Sequence, residues 1–126
     1  MSPTWVDSAV SSFGSRMGLK DFALNDRGVA SVTFENGFGL AFEFMADSLY
    51  VSMRVPAEPS ETTVKKLLVA SHPANRFPFH LRTAYLAKRD MALFMVRLGE
   101  RQVTSTALET VFSGLWDLAI KLGGGR

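Results

Sequence analysis

The chain contains no cysteine. Disulfides and thiolate metal sites are excluded, so the fold rests on its apolar core alone. No apolar run approaches the roughly 18–20 residues of a membrane-spanning helix. The opening MSPTWVDSAV lacks the basic start and long apolar stretch of a secretory signal. These absences read as a soluble cytoplasmic protein, with no membrane partner. Charge of one sign is nowhere gathered: 14 Lys and Arg stand against 12 Asp and Glu, and the longest basic clusters are the pairs Lys65-Lys66 and Lys88-Arg89. A nucleic-acid-binding domain concentrates positive charge in a patch or stripe, so a net charge of +2 gives no reason to expect such a ligand.

Catalytic patterns are missing too. His72 and His80 are separated by a stretch holding two prolines, and neither helix nor strand spacing aligns them as metal ligands. Asp26, Glu35, Glu43 and Asp47 fall at turns or on a solvent face and form no acid–base couple. GFG at 37–39 lacks the third glycine and following helix of a phosphate loop. No serine sits in a nucleophile elbow. The expectation is a non-catalytic protein without cofactor or metal.

What is present is a globular composition. A chain of 126 residues, 47% of them hydrophobic, forms one domain over 1–126 with GGGR at 123–126 as a flexible tail. Val6, Ala9, Val10, Phe13 and Met17 recur at helical spacing over residues 4–17, with Thr4 as N-cap and Gly18 as stop. GVASVTFE, FGLAFEF and LYVSMRV alternate as three strands. Asn36-Gly37 reads as a two-residue hairpin turn between the first two, because both residues tolerate positive φ. Ser60 caps a short helix over 61–71 striped by Val64, Leu67 and Leu68. FHLRTAYL and MALFMVRL make a second hairpin around AKRD. Thr106 and Glu109 match a capping box for a last helix. Leu108, Val111, Phe112, Leu115, Ala119 and Leu122 line that helix, and Trp116, Leu118 and Ile120 broaden the line towards burial on more than one side. The order α-β-β-β-α-β-β-α specifies an α+β two-layer sandwich with an antiparallel sheet.

The stretch DMALFMVRL, residues 90–98, poses the functional question. As a strand it carries Met91, Leu93 and Met95 on one face and Ala92, Phe94, Val96 and Leu98 on the other. Either the short second helix covers the second side or another subunit does, and the narrow stripe of that helix favours the subunit. Large apolar side chains gain roughly 1.5–3 kcal/mol each on full burial, so a wet patch of them is an association site.

With this element order, TWVDSAVSSFGSRMGL at the start and RDMALFMVRLGERQVTSTALETVFSGLWDLAIKL at the end resemble the opening helix and the final hairpin and helix of the class I chaperones of bacterial type III secretion. Within that family the chain is most similar to the SycN type, which handles the secretion gatekeeper. It departs from the family's usual acidity in being weakly basic. The resemblance implies a dimer, a homodimer or a heterodimer with a related chaperone, around which an extended segment of a secreted effector or gatekeeper wraps. It places the dimer interface at Val64, Leu67, Leu68, Tyr85, Phe94 and Val96. It places the client groove at Val6, Val10, Phe13, Val32, Phe34, Phe38 and Leu40. The alternative is a small dimeric adaptor of the same fold acting outside secretion.

Overall fold

The structure, a computed structural model, describes residues 2–58, 60–71 and 79–122. The elements run α1 (Thr4–Arg16), β1 (Val29–Thr33), β2 (Gly39–Met45), β3 (Ser48–Pro56), α2 (Glu61–Ser71), β4 (Leu81–Leu86), β5 (Met91–Gly99) and α3 (Ser105–Leu122). Single 3-10 turns occupy Ala87–Arg89 and Glu100–Gln102. The five strands form one antiparallel sheet in the order β1-β2-β3-β5-β4. This is the expected α+β sandwich of one sheet and one helical layer. The loop expected over HPANRFPF, with His72, and the GGGR tail lie outside the described residues, apart from Phe79.

Sequence periodicity explains which surfaces meet. Val6, Ala9, Val10 and Phe13 fall on one side of α1 and are buried. Leu108, Val111, Leu115, Ala119 and Leu122 do the same for α3. Against them the sheet presents Leu40 and Phe42, then Leu49, Val51, Met53 and Val55, then Ala92, Phe94, Val96 and Leu98, all buried. Phe13, Phe22 and Phe42 meet at the centre with ring centroids 5.1–6.0 Å apart. Each such ring contributes about 1.5–3 kcal/mol through burial, and tilted packing adds to that. Trp116 and Leu118 pack partly buried against the core, as the breadth of the apolar residues of α3 suggested, while Ile120 is 38% exposed.

The ends of the elements follow local chemistry. At the end of α1 the Leu19 N–H donates to the Gly14 carbonyl at 2.8 Å and the Gly18 N–H to that of Ser15 at 3.2 Å, with Gly18 at φ +73. This is the paired closure that a left-handed residue makes possible. Its start lies one residue earlier than expected: the Pro3 carbonyl accepts from Val6 and Asp7, and Thr4 is already helical. Ser60 caps α2 as expected, its Oγ accepting the Thr63 N–H at 3.1 Å. For α3 the cap is Thr104, whose Oγ1 accepts the Ala107 N–H at 3.0 Å. Thr106 lies inside the helix, and Glu109 pairs instead with Arg16 at 3.5 Å.

The first hairpin corrects the turn expected at Asn36-Gly37. Only Gly37 takes positive φ, +92. The Gly37 N–H donates to Phe34 O, and Phe34 and Phe38 close a three-residue loop, while Asn36 Oδ1 accepts the Phe38 N–H at 2.9 Å. An Asx contact of that kind satisfies the loop without a left-handed Asn. The two-residue turn with both residues left-handed occurs between β2 and β3, at Ala46 (φ +51) and Asp47 (φ +62).

Candidate functional site

All three helices lie on one side of the sheet. α1 and α3 pack together, α3 covers β3, and α2 bridges β4 and α3, its Lys66 Nζ donating to Lys121 O at 3.3 Å. Among the described residues nothing covers the other side, so the second helix does not screen the second face of β5.

Strand register maps that open side row by row. One row reads Val29, Glu43, Tyr50 and Arg97 from β1 to β5. The next reads Ser31, Ala41, Ser52, Met95 and Arg82, and the next Thr33, Gly39, Arg54, Leu93 and Ala84. A last short row joins Pro56, Met91 and Leu86. Met91, Leu93 and Met95 are half-buried by their neighbours and form an apolar stripe down the strand. The guanidinium of Arg54 lies over Gly39: a Cβ there would fall 2.5 Å from its terminal nitrogen. The buried Arg54 Nε has no hydrogen-bond partner among the described residues.

The expected interface residues divide. Val64 (49% exposed) and Leu68 (65%) present apolar surface on the outer side of α2. Leu67, Phe94 and Val96 point into the core of the single chain and are buried. Tyr85 is half-buried, and its hydroxyl donates to Ala57 O at 3.0 Å and lies 3.4 Å from Asp90 Oδ1. Desolvation, then the nearby Asp90 carboxylate, raises the Tyr85 phenol above its ordinary pKa of 10.0. A cleft of about 360 Å³ opens beside Val64 between this ring and the start of α2.

The expected groove residues divide in the same way. Val6, Val10, Phe13 and Leu40 are wholly enclosed, and Phe38 is nearly so. Val32 and Phe34 are half-buried at the β1 side of the molecule. There Phe34 and Phe38 stack edge-on against Trp116 at 5.2 and 5.1 Å, and Phe112 lies 5.7 Å from Trp116. Periodicity places Phe112 in the apolar line of α3 and Trp116 where that line broadens; both are half-buried and line this aromatic margin. Beside it β1 is a sheet edge, paired on one side only among the described residues; Asn25 engages both backbone groups of Val29, and beyond that residue the edge is open to an extended strand. Among the described residues there is no cluster of three potential metal ligands, and no helix long and apolar enough to cross a membrane.

The open stripe was visible in the sequence, but its side was misjudged. Arg97 shares strand parity with Met91, Leu93 and Met95, and a charged residue marks the wet face.

Comparison with known proteins adds independent findings. A model of the Tir chaperone protein (CesT) family matches residues 8–122. The Yersinia pestis type III secretion chaperone SycH, solved in complex with a stable fragment of YscM2, superposes with a TM-score of 0.72 at 22% identity, over 93% of this chain and 98% of that one. A chain of the ExsC–ExsE complex gives 0.75 at 22% identity, over 94% and 92%. One from the ExoU–SpcU complex of the Pseudomonas aeruginosa type III secretion system gives 0.67 at 13%, over 92% and 93%. At these identities the likeness is one of fold. No curated protein sequence matches significantly.

Proposed function

The chain belongs to the Tir chaperone protein (CesT) family, non-catalytic chaperones of type III secretion, and from that premise we propose that it acts in the bacterial cytoplasm as a dimer that holds an extended segment of a secreted protein in a secretion-competent form. The observation that carries this reading is apolar surface left uncovered by one copy. Met91, Leu93 and Met95 lie on the open side of the sheet, and Val64 and Leu68 lie outside α2. In this reading those surfaces take a second subunit. The β1 edge and the aromatic margin of Val32, Phe34, Phe112 and Trp116 take the client. SycH and SpcU were each solved with another protein bound, which supports the same use here.

The mechanism needs no chemistry. A client strand adds its backbone to β1 and lays alternate side chains against the aromatic margin. Ordering such a segment costs entropy, so the contact must be long. Among possible clients, the opening TWVDSAVSSF supports the gatekeeper.

Deleting the gene in its native cell tests the reading. Loss of one type III substrate from the secreted fraction, with the others retained, is the expected result. An unchanged secreted fraction would remove secretion from the account and leave a same-fold adaptor.

A further inference from the structure

We propose that the Gly99 end of the open sheet holds a site for a small phosphorylated ligand with a flat ring, the chemistry of a nucleotide. The inference does not depend on the chaperone reading. The cations that carry it, His80, Arg82 and Arg97, are dispersed in the sequence. The fold gathers them around one cleft of about 670 Å³, together with Tyr50, Phe79 and Met95. That volume is in the range of small-molecule sites.

Strand register sets the spacing of the cations. Tyr50 is directly across from Arg97, and Arg82 is directly across from Met95. Arg82 and Arg97 are therefore diagonal neighbours, with Cβ atoms roughly 7–8 Å apart. Two exposed guanidinium groups at that spacing can close on one phosphate, each offering paired N–H donors. Among the described residues no carboxylate lines the cleft, and neither arginine has an ion-pair partner. Glu43, the carboxylate of the same row, is separated from Arg97 by Tyr50. Like charges side by side on a sheet oppose each other, and a bound anion removes that opposition.

The rings decide the class of anion. A bare phosphate needs only the arginines. Half-buried Tyr50 and Phe79, the latter packed partly against the core, add aromatic surface to the same cleft. Rings beside guanidinium groups suit a base that carries phosphates. The surface read as an interface reaches this cleft only at Met95. Its other end lies by Met91 and Leu93, where Val64 shares a cleft with Tyr85, which pairs with Ala92.

Isothermal titration of the full-length chain with ATP tests the proposal. Saturable binding tighter than about 1 mM is expected. Adenosine, which lacks the phosphates, and inorganic triphosphate, which lacks the ring, should each bind at least about tenfold more weakly. Arg82→Gln/Arg97→Gln should lower ATP affinity at least about tenfold. Tyr50→Leu should weaken ATP and leave triphosphate unchanged. Should the double variant fail to fold, Arg97→Lys, which keeps the charge and loses the paired donors, should still weaken ATP. No ATP binding, triphosphate binding as tight as ATP, or ATP binding indifferent to the arginine substitutions would each overturn the proposal. So would a single-stranded oligonucleotide that binds at least about tenfold more tightly than ATP, since the ligand would then be a nucleic acid. None of these outcomes touches the secretion phenotype of the deletion, so this idea and the chaperone reading fail separately.

Discussion

Gly14 and Phe22 touch backbone to side chain: a Cβ on Gly14 would stand 2.8 Å from both the Cβ and the carbonyl oxygen of Phe22. The contact locks the segment leaving α1 back onto the helix, where Phe22 joins the aromatic centre. Helix propensity alone makes Gly14→Ala stabilising by about 1 kcal/mol. The clash involves backbone and cannot be relieved by turning a side chain. A net loss of about 1–3 kcal/mol is expected, read from urea unfolding; a rise in stability would show that the segment after α1 moves freely.

Ala46 supports the opposite expectation. It holds φ +51 in the turn between β2 and β3, a conformation that costs an L-residue roughly 1–2 kcal/mol. Ala46→Gly relieves that cost and loses part of the gain to unfolded-state entropy, leaving a stabilisation of about 0.5–1 kcal/mol. A lower melting temperature for the variant would contradict the turn geometry.

Neighbouring positions on β5 should respond oppositely to a carboxylate. Phe94 is 1% exposed beneath the helices. Phe94→Asp buries an unpaired charge and removes a core ring, a loss above about 4 kcal/mol against a typical total of 5–15. That chain should show no cooperative unfolding. Leu93 faces the other way, across from Arg54, so Leu93→Asp should change the stability of the single folded chain by within about 1 kcal/mol, its main cost falling on subunit association. Circular dichroism melts of the pair check the direction of the strand's faces.

Tyr85 predicts a pH dependence with a definite sign. Its folded pKa lies above the ordinary value, through desolvation first and Asp90 second. The folded state therefore holds the phenolic proton more tightly than the unfolded chain does. The stability this gives is complete below about pH 10 and is lost as pH rises through the raised pKa. The difference in urea midpoint between the native chain and Tyr85→Phe should shrink on going from about pH 9 to about pH 11. A difference that stays constant would mean the hydroxyl does not titrate differently on folding.

Much of the architecture was legible because α1, α2, α3 and the strands carry unbroken periodicities. Val6, Val10 and Phe13 announce one buried stripe, and Leu49, Val51, Met53 and Val55 another. Turn details were less legible, since an Asx hydrogen bond from Asn36 competes with the left-handed conformation the residue also tolerates. Which helix cap prevails depends on how far the preceding strand runs, and Gly99 with its following 3-10 turn sets Thr104, not Thr106, at the start of α3. Surface sites were least legible. Phe94 and Leu93 are equally apolar as letters, and only pairing with Met53 on one side and Arg54 on the other tells core from exposed stripe. The aromatic margin was hidden because Phe112 fits the helical core line and Trp116 its broadened flank, and both partly emerge from burial.

The place of β5 between β3 and β4 bears on how the molecule comes into being. Pairing of β3 runs from Ser48 with Gly99 to Pro56 with Met91, so the first meander emerges from the ribosome long before its neighbour exists. Until synthesis has passed Gly99 the rim of β3 is bare, and any other polypeptide able to add a strand there competes with the chain's own. Co-translational assembly thus has a window in this protein, opened by the order in which its strands are made and shut by the arrival of one hairpin.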